Sequence, residues 1–181
     1  SPYSASKIAA NQLAISYFRS FDLPVKIVRP FNTFGPRQSS RAVIPTIISQ
    51  CHAKSEEIRL GNLIPTRDLT FVKDTCIGFL EIFKSDVLFG EIINVGMNSE
   101  ISIGDLVTVI MKIMDVNISI AKDNDRFRPK NSEVDRLACN NKKILNNTNW
   151  EPRYNLEEGL IETIEWYKIN SQFYKAGLYN V

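Results

Sequence analysis

Histidine and cysteine are scarce in this 181-residue sequence, and their scarcity removes whole classes of chemistry. One histidine, His52, and three widely spaced cysteines, Cys51, Cys76 and Cys139, provide no CxxC pair and no ligand cluster. Neither a zinc site, nor any other metal site, nor a disulfide framework is expected, and the cysteines read as structural thiols. Cys51 and His52 are adjacent, which points their side chains in different directions and argues against a nucleophile and base pair. Long apolar runs are missing too: none reaches the roughly 18 residues that span a bilayer, and no signal-peptide pattern opens the chain. The expectation is a cytoplasmic protein without a membrane partner. An excess of one charge is also lacking, since 22 Lys and Arg face 20 Asp and Glu for a net charge of +2. With the two signs interspersed, a nucleic-acid groove is not expected, and each basic site must be argued by itself. No methionine opens the chain, and Ser1-Pro2 leads straight into a helical pattern, so the sequence reads as the interior of a longer protein.

What is present is an ordinary globular composition, 44% hydrophobic and 23% charged, long enough for one domain or two small ones. No internal repeat or low-complexity stretch interrupts it. Residues 4–21 contain neither Gly nor Pro and recur as a helix, with Pro2 in the opening turn and Pro24 beyond its end. A strand over 25–29 and a loop over 30–36 follow, which is one unit of an α/β sheet, and loops after such strands bind ligands. A helix is predicted over 43–53 with Pro45 in its first turn. Strands are predicted over 58–60, turning at Gly61-Asn62, and over 69–72. A helix over 74–84, a strand over 91–96, a helix opened by Ser102 and Asp105, and a strand over 116–121 come next. After a polar loop over 123–131, a short helix is expected over 140–145, and a last one over 156–168 capped by Asn155 and Glu158.

Tyr3 and Lys7 stand four residues apart, about one helical turn, so phenol and ammonium share a face. A phenol ordinarily loses its proton near pH 10, and acting as a base near pH 7 requires roughly 4 kcal/mol of help, which a nearby positive charge supplies. On spacing alone, a plain helix-surface pair is the better explanation. Arg37 and Arg41, ahead of a helix N-terminus, either hold an anion or form a solvated basic loop.

In chain order the sequence offers Tyr3-x-x-x-Lys7, then Arg29-Pro30-Phe31-Asn32-Thr33-Phe34-Gly35-Pro36-Arg37-Gln38, then Gly61, then Arg67-Asp68 before Phe71-Val72-Lys73-Asp74. Asn94-Val95-Gly96, Arg128-Pro129-Lys130-Asn131-Ser132-Glu133-Val134 and Trp150-x-Pro152 complete the series. Over essentially the whole chain this order resembles the C-terminal part of the extended short-chain dehydrogenase/reductases that act on nucleotide sugars. More narrowly, it is similar to the NAD-dependent nucleotide-sugar 4,6-dehydratases of legionaminic-type acid biosynthesis.

The resemblance implies an α/β fold: the C-terminal part of a Rossmann-type NAD-binding domain (1–35 and 71–96) plus a smaller mixed α/β substrate-binding domain (36–70 and 97–181). It makes Tyr3 the catalytic base and Lys7 its partner, both beside the NAD cofactor with Pro30 and Asn32. It assigns Arg67 and Arg128 to the pyrophosphate of a nucleotide diphosphate sugar, guanidinium forks suiting its oxygens. Asn32, Arg37, Arg41, Leu60 and Glu133 complete the implied substrate contacts. Asn32 has the alternative of a loop-stabilising amide, and Glu133 fits the pattern only with a two-residue shift. Relatives use the helix over 4–21 in a homodimer. No Gly-x-x-Gly-x-x-Gly turn for the NAD pyrophosphate occurs in the sequence, so the chain alone is expected to be inactive and to bind NAD poorly. A 4-epimerase or decarboxylase of the same superfamily shares these residues, and a non-catalytic nucleotide-sugar binding module is the alternative of another class.

Overall fold

Helix α1 spans Pro2–Phe21, two residues earlier than predicted. Proline's missing N–H costs nothing in a first turn, and the Ser1 hydroxyl caps the end by accepting from the Ser4 N–H at 3.2 Å. The helix stops at Asp22, whose φ of 52° is left-handed. The computed structural model describes residues 1–126 and 134–174. After α1 come β1 (Ile27–Pro30), β2 (Asn32–Phe34), α2 (Val43–His52), β3 (Glu57–Leu60), β4 (Thr66–Arg67) and β5 (Leu69–Phe71). Then follow α3 (Val72–Lys84), β6 (Ile92–Val95), β7 (Ile101–Ser102), α4 (Ile103–Met114) and β8 (Ser119–Lys122). The described chain closes with β9 (Arg136–Leu137), α5 (Lys142–Asn147) and α6 (Leu156–Asn170).

Two parallel strand pairs lie in succession. β1 pairs with β6, Ile27 opposite Ile92, and one residue later β2 pairs with β5, Asn32 opposite Leu69. The second pair corrects the loop expected over 30–36: two flanking prolines read as a loop, yet Asn32–Phe34 find a partner strand 37 residues onward. Around β1 and β6, the side chains of Ile82, Ile93, Val95, Ile144 and Trp150 form one apolar cluster. The Lys26 ammonium, entering β1, donates to the carbonyls of Ile82 at 2.9 Å and of Ser85, at the C-terminal end of α3, where the helix dipole favours a cation.

A second, larger cluster joins α2, α4 and α6 through Ile44, Ile47, Ile48, Leu106, Ile110, Leu160 and Ile164. β3 supplies Ile58 and Leu60 to it and pairs in parallel with β8, not with the strand that follows it. The turn expected at Gly61-Asn62 therefore does not make a hairpin. A Cβ at Gly61 would meet the Arg126 carbonyl oxygen at 2.6 Å, so this glycine instead admits the segment after β8. β4 lies between β7, antiparallel to it, and β9, parallel to it. Helices α4 and α6 start where their caps predict: Ser102 accepts from the Asp105 N–H, and Asn155 with Glu158 forms a capping box.

This is the α/β architecture expected from the sequence. Cys51 and Cys139 are buried, and burial pushes their thiols up to about 11 and about 12, as inert structural groups require. Among the described residues no helix is long and apolar enough to cross a membrane, and no cluster of three metal-ligating side chains occurs.

Candidate active site

The chain leaves β1 and enters β2 along a cavity of about 810 Å³, which the end of β3 and Arg67 of β4 also line. Each wall carries its polar groups on short, well-anchored segments. Asn32 is the first residue of β2, one position after Phe31, whose N–H donates to the Val95 carbonyl at 2.9 Å. Arg41 comes from the bend ahead of α2 and Leu60 from the end of β3. Arg67 closes β4, with its Nη1 donating to the Thr66 carbonyl at 2.8 Å. The residue behind it, Asp68, is fully buried and fixes the strand by accepting from the Met97 N–H at 2.8 Å and the Cys139 N–H at 3.0 Å.

Pro30, Asn32, Arg41, Leu60 and Arg67, five residues expected from sequence, thus line one cavity. Arg37 does not line it: the residue is exposed, with a left-handed φ of 67°. Tyr3 and Lys7 lie outside the lining as well. They occupy the first turns of α1, with Tyr3 71% exposed and the Lys7 ammonium 5.5 Å from its ring centroid. Arg128 and Glu133 fall outside the described residues.

Arg126 also lines the cavity and is not among the residues expected from sequence. Its Nε donates to Asp123 Oδ2 at 2.9 Å, and this bond holds the Asp123 carboxyl below the usual carboxylate range. Asp123 in turn is tied to β3, its N–H donating to the Leu60 carbonyl at 2.8 Å. The signal in the sequence is an Asp-x-x-Arg pair directly after a strand, with a glycine elsewhere to admit it. Three guanidinium groups, Arg41, Arg67 and Arg126, therefore share one cavity with an amide, a donor set suited to an anionic ligand.

Comparison with known proteins identifies the family. The family model described as GDP-mannose 4,6 dehydratase matches residues 1–163. A dTDP-D-glucose 4,6-dehydratase from Homo sapiens is 32% identical over 177 residues, 96% of this chain and 50% of that protein. The crystal structure of dTDP-glucose 4,6-dehydratase from Bacillus anthracis in complex with NAD superposes with a TM-score of 0.83 at 30% identity, covering 96% of this chain and 54% of that one. The structure of Pal from Bacillus thuringiensis has a TM-score of 0.84 at 35% identity, covering 94% and 54%. The chain spans about half the length of the curated relatives it matches. Its α/β strand pairs are part of a Rossmann-type fold shared with these NAD-dependent enzymes. The chain belongs to the GDP-mannose 4,6-dehydratase family, within the extended short-chain dehydrogenase/reductases that act on nucleotide sugars.

Proposed function

We propose that this chain carries the base and the substrate cavity of an NAD-dependent nucleotide-sugar 4,6-dehydratase acting on a nucleotide-linked N-acetylhexosamine, as in legionaminic-type acid pathways. The observation that carries the reading is the cavity itself, where Arg41, Arg67 and Arg126 stand with Asn32 around space for a nucleoside diphosphate sugar. Arg67 and Arg128 hold the pyrophosphate, Leu60 lies beside the base, and Asn32, Arg37, Arg41 and Glu133 contact phosphate, sugar or ribose. Tyr3 Oη takes the proton of the sugar's 4-hydroxyl, while the Lys7 ammonium one turn along α1 stabilises negative charge on that oxygen. The phenol, the ammonium and the Asn32 amide supply donors for the nicotinamide ribose of NAD, with Pro30 beside them at the β1–β2 junction. NAD, when bound, supplies the hydride acceptor. Oxidation at carbon 4 makes the carbon 5 proton acidic, which permits loss of water across carbons 5 and 6; return of the hydride to carbon 6 and of a proton to carbon 5 then leaves a 4-keto-6-deoxy sugar, one water lighter than the substrate. The groups that assist this elimination are assigned to no residue of this chain. The division of labour puts residues 1–35 and 71–96 with the cofactor and residues 36–70 and 97–181 with the substrate. The working form is a cytoplasmic homodimer joined through α1, and the 181-residue chain by itself has no turnover.

The test is incubation of the full-length protein with NAD and with UDP-, GDP- and dTDP-linked hexoses and N-acetylhexosamines, followed by mass spectrometry and proton NMR, the second of which separates a 4-epimer from unreacted substrate. A 4-keto product lighter by one water from an N-acetylhexosamine is expected. A 4-epimer of unchanged mass would overturn the dehydratase reading, and turnover of dTDP-glucose alone would overturn the N-acetylhexosamine assignment.

A further inference from the structure

Between β2 and α2 the chain makes a loop, residues 35–42, that carries Gln38, Arg41 and Ala42 into the cavity wall. Its backbone is not relaxed. Arg37 holds a φ of 67°, a region that residues other than glycine seldom occupy, and Gly35 has a φ of 155°. Such a conformation persists where its surroundings over-determine it. Several holding contacts are local: Gln38 N–H to the Gly35 carbonyl at 3.3 Å, Ala42 N–H to the Ser39 carbonyl at 2.9 Å, and Arg41 N–H to Ser39 Oγ at 3.3 Å. The Gln38 side chain reaches back to β2, its Nε2 donating to the Thr33 carbonyl at 3.0 Å, while its Oε1 is buried without a hydrogen-bond partner. The loop is therefore not fixed by full satisfaction of Gln38's own amide.

One contact comes from far along the chain. The Tyr174 hydroxyl donates to the Gln38 backbone carbonyl at 2.8 Å, across 136 residues. Tyr174 is itself firmly seated: its ring centroid lies 4.7 Å from that of Tyr167, a core residue at the end of α6, and 6.1 Å from that of Trp166 in an edge-on arrangement. Burial raises the Tyr174 pKa above the ordinary phenol value, so the hydroxyl keeps its proton and remains a donor through neutral pH. Gln38 thus joins three parts: its carbonyl to the segment after α6, its side chain to β2 beside Asn32, and its surface to the cavity.

We propose that Tyr174 is a positioning residue, whose hydroxyl pins the loop of residues 35–42 so that Gln38 and Arg41 keep their places in the cavity wall. The consequence for ligands rests on reading the cavity as the nucleoside diphosphate site, and the tether itself does not. Tyr174→Phe keeps the ring on Tyr167 and Trp166 and removes the donor alone. In hydrogen–deuterium exchange on the full chain, amides of the 35–42 loop are expected to exchange about five-fold faster in Tyr174→Phe, the factor that loss of one net hydrogen bond gives. Amides of α6 should be unchanged. UDP and dTDP, used as calorimetric probes, should bind about five-fold more weakly. Loop exchange equal to wild type would overturn the proposal. So would equal acceleration in α6, because the hydroxyl would then serve packing rather than the loop. Faster loop exchange with undiminished UDP or dTDP affinity would overturn the positioning role toward the ligand. Faster loop exchange in a protein whose wild type binds neither probe would support the tether and sink the nucleotide reading of the cavity instead.

Discussion

Two aspartates, Asp68 and Asp74, have no exposed surface, and each spends both carboxylate oxygens on backbone amides. Asp68 joins the end of β4 to residues 97 and 139, as described above. Asp74, in the first turn of α3, accepts from the Arg153 and Tyr154 N–H groups, each at 3.0 Å, while its own carbonyl accepts from the buried Trp150 indole at 2.9 Å. A carboxylate is costly to desolvate, and charge-assisted bonds to amides that would otherwise be orphaned offset that cost. Asp74→Ala leaves two amides without an acceptor, so it is expected to destabilise the protein by about 3 kcal/mol, read from the urea midpoint at unchanged slope. Asp74→Asn retains one acceptor oxygen and should lose less. A different balance holds at the surface, where Glu100 accepts from Arg136 Nη2 at 2.6 Å and from the Thr66 hydroxyl at 2.6 Å. The Arg136 bond, with the Thr66 bond next, lowers the Glu100 pKa. A carboxylate whose folded pKa lies below its unfolded value stabilises the fold above the unfolded value, near 4.3 for glutamate, and stops doing so as pH falls through the folded one. The stability difference between wild type and Glu100→Gln should therefore be present at pH 7 and shrink to nothing in acid. Because Arg136 is exposed, it should also shrink in high salt. A difference constant across that acid range would show that the pair contributes no linkage.

At the scale of elements, α1 is unlike the rest: 20 residues long, it buries no side chain, and Ile8, Leu13 and Phe21 are each at least 60% exposed. Helical stability in proteins comes mostly from packing an apolar face, so this helix gains little from its own chain. A homodimer through α1 would cover that face. Ala10→Pro removes a mid-helix hydrogen bond and should convert such a dimer to monomer in sedimentation, while leaving the near-ultraviolet signal of buried Trp150 intact. Loss of the Trp150 signal would show instead that α1 supports the core. The helices were legible where a side chain bonds to the backbone within one turn, as Ser102 with Asp105 and Asn155 with Glu158 do. β2, and the pairing of β3 with the expected strand β8, were not legible, because these pairings join residues 37 and 62 positions apart. The site divides in the same way. Asn32, Arg41, Leu60 and Arg67 stand out by residue type in a recognisable order. Arg126 reaches the cavity only through the space at Gly61 and the carboxylate of Asp123, a coincidence in space that one-dimensional spacing conceals.

For the molecule as a whole, the cavity and the proposed base, Tyr3, are built to different degrees of completeness. The cavity draws its walls from β2, the loop before α2, β3 and β4, and β2 and β3 also contribute Phe34, Ile58 and Leu60 to the larger apolar cluster. Tyr3 and Lys7 project from a helix with no buried residue, and the sequence contains no glycine-rich dinucleotide turn. Substrate binding and cofactor binding should therefore separate. Titrated calorimetrically, the 181-residue chain is expected to bind UDP or dTDP with measurable affinity, and Arg67→Ala should weaken that binding by about ten-fold or more, the loss of one charge-assisted contact to phosphate. NAD should give no comparable binding to the same chain, because no Gly-x-x-Gly-x-x-Gly turn occurs in the sequence to take its pyrophosphate. In the full-length protein, Tyr3→Phe should abolish turnover while leaving nucleoside diphosphate affinity unchanged, since the phenol is outside the cavity lining. Tight NAD binding by the 181-residue chain, or turnover by it, would overturn this separation; equal loss of UDP or dTDP affinity in Tyr3→Phe would mean that the base and the cavity form one binding unit after all.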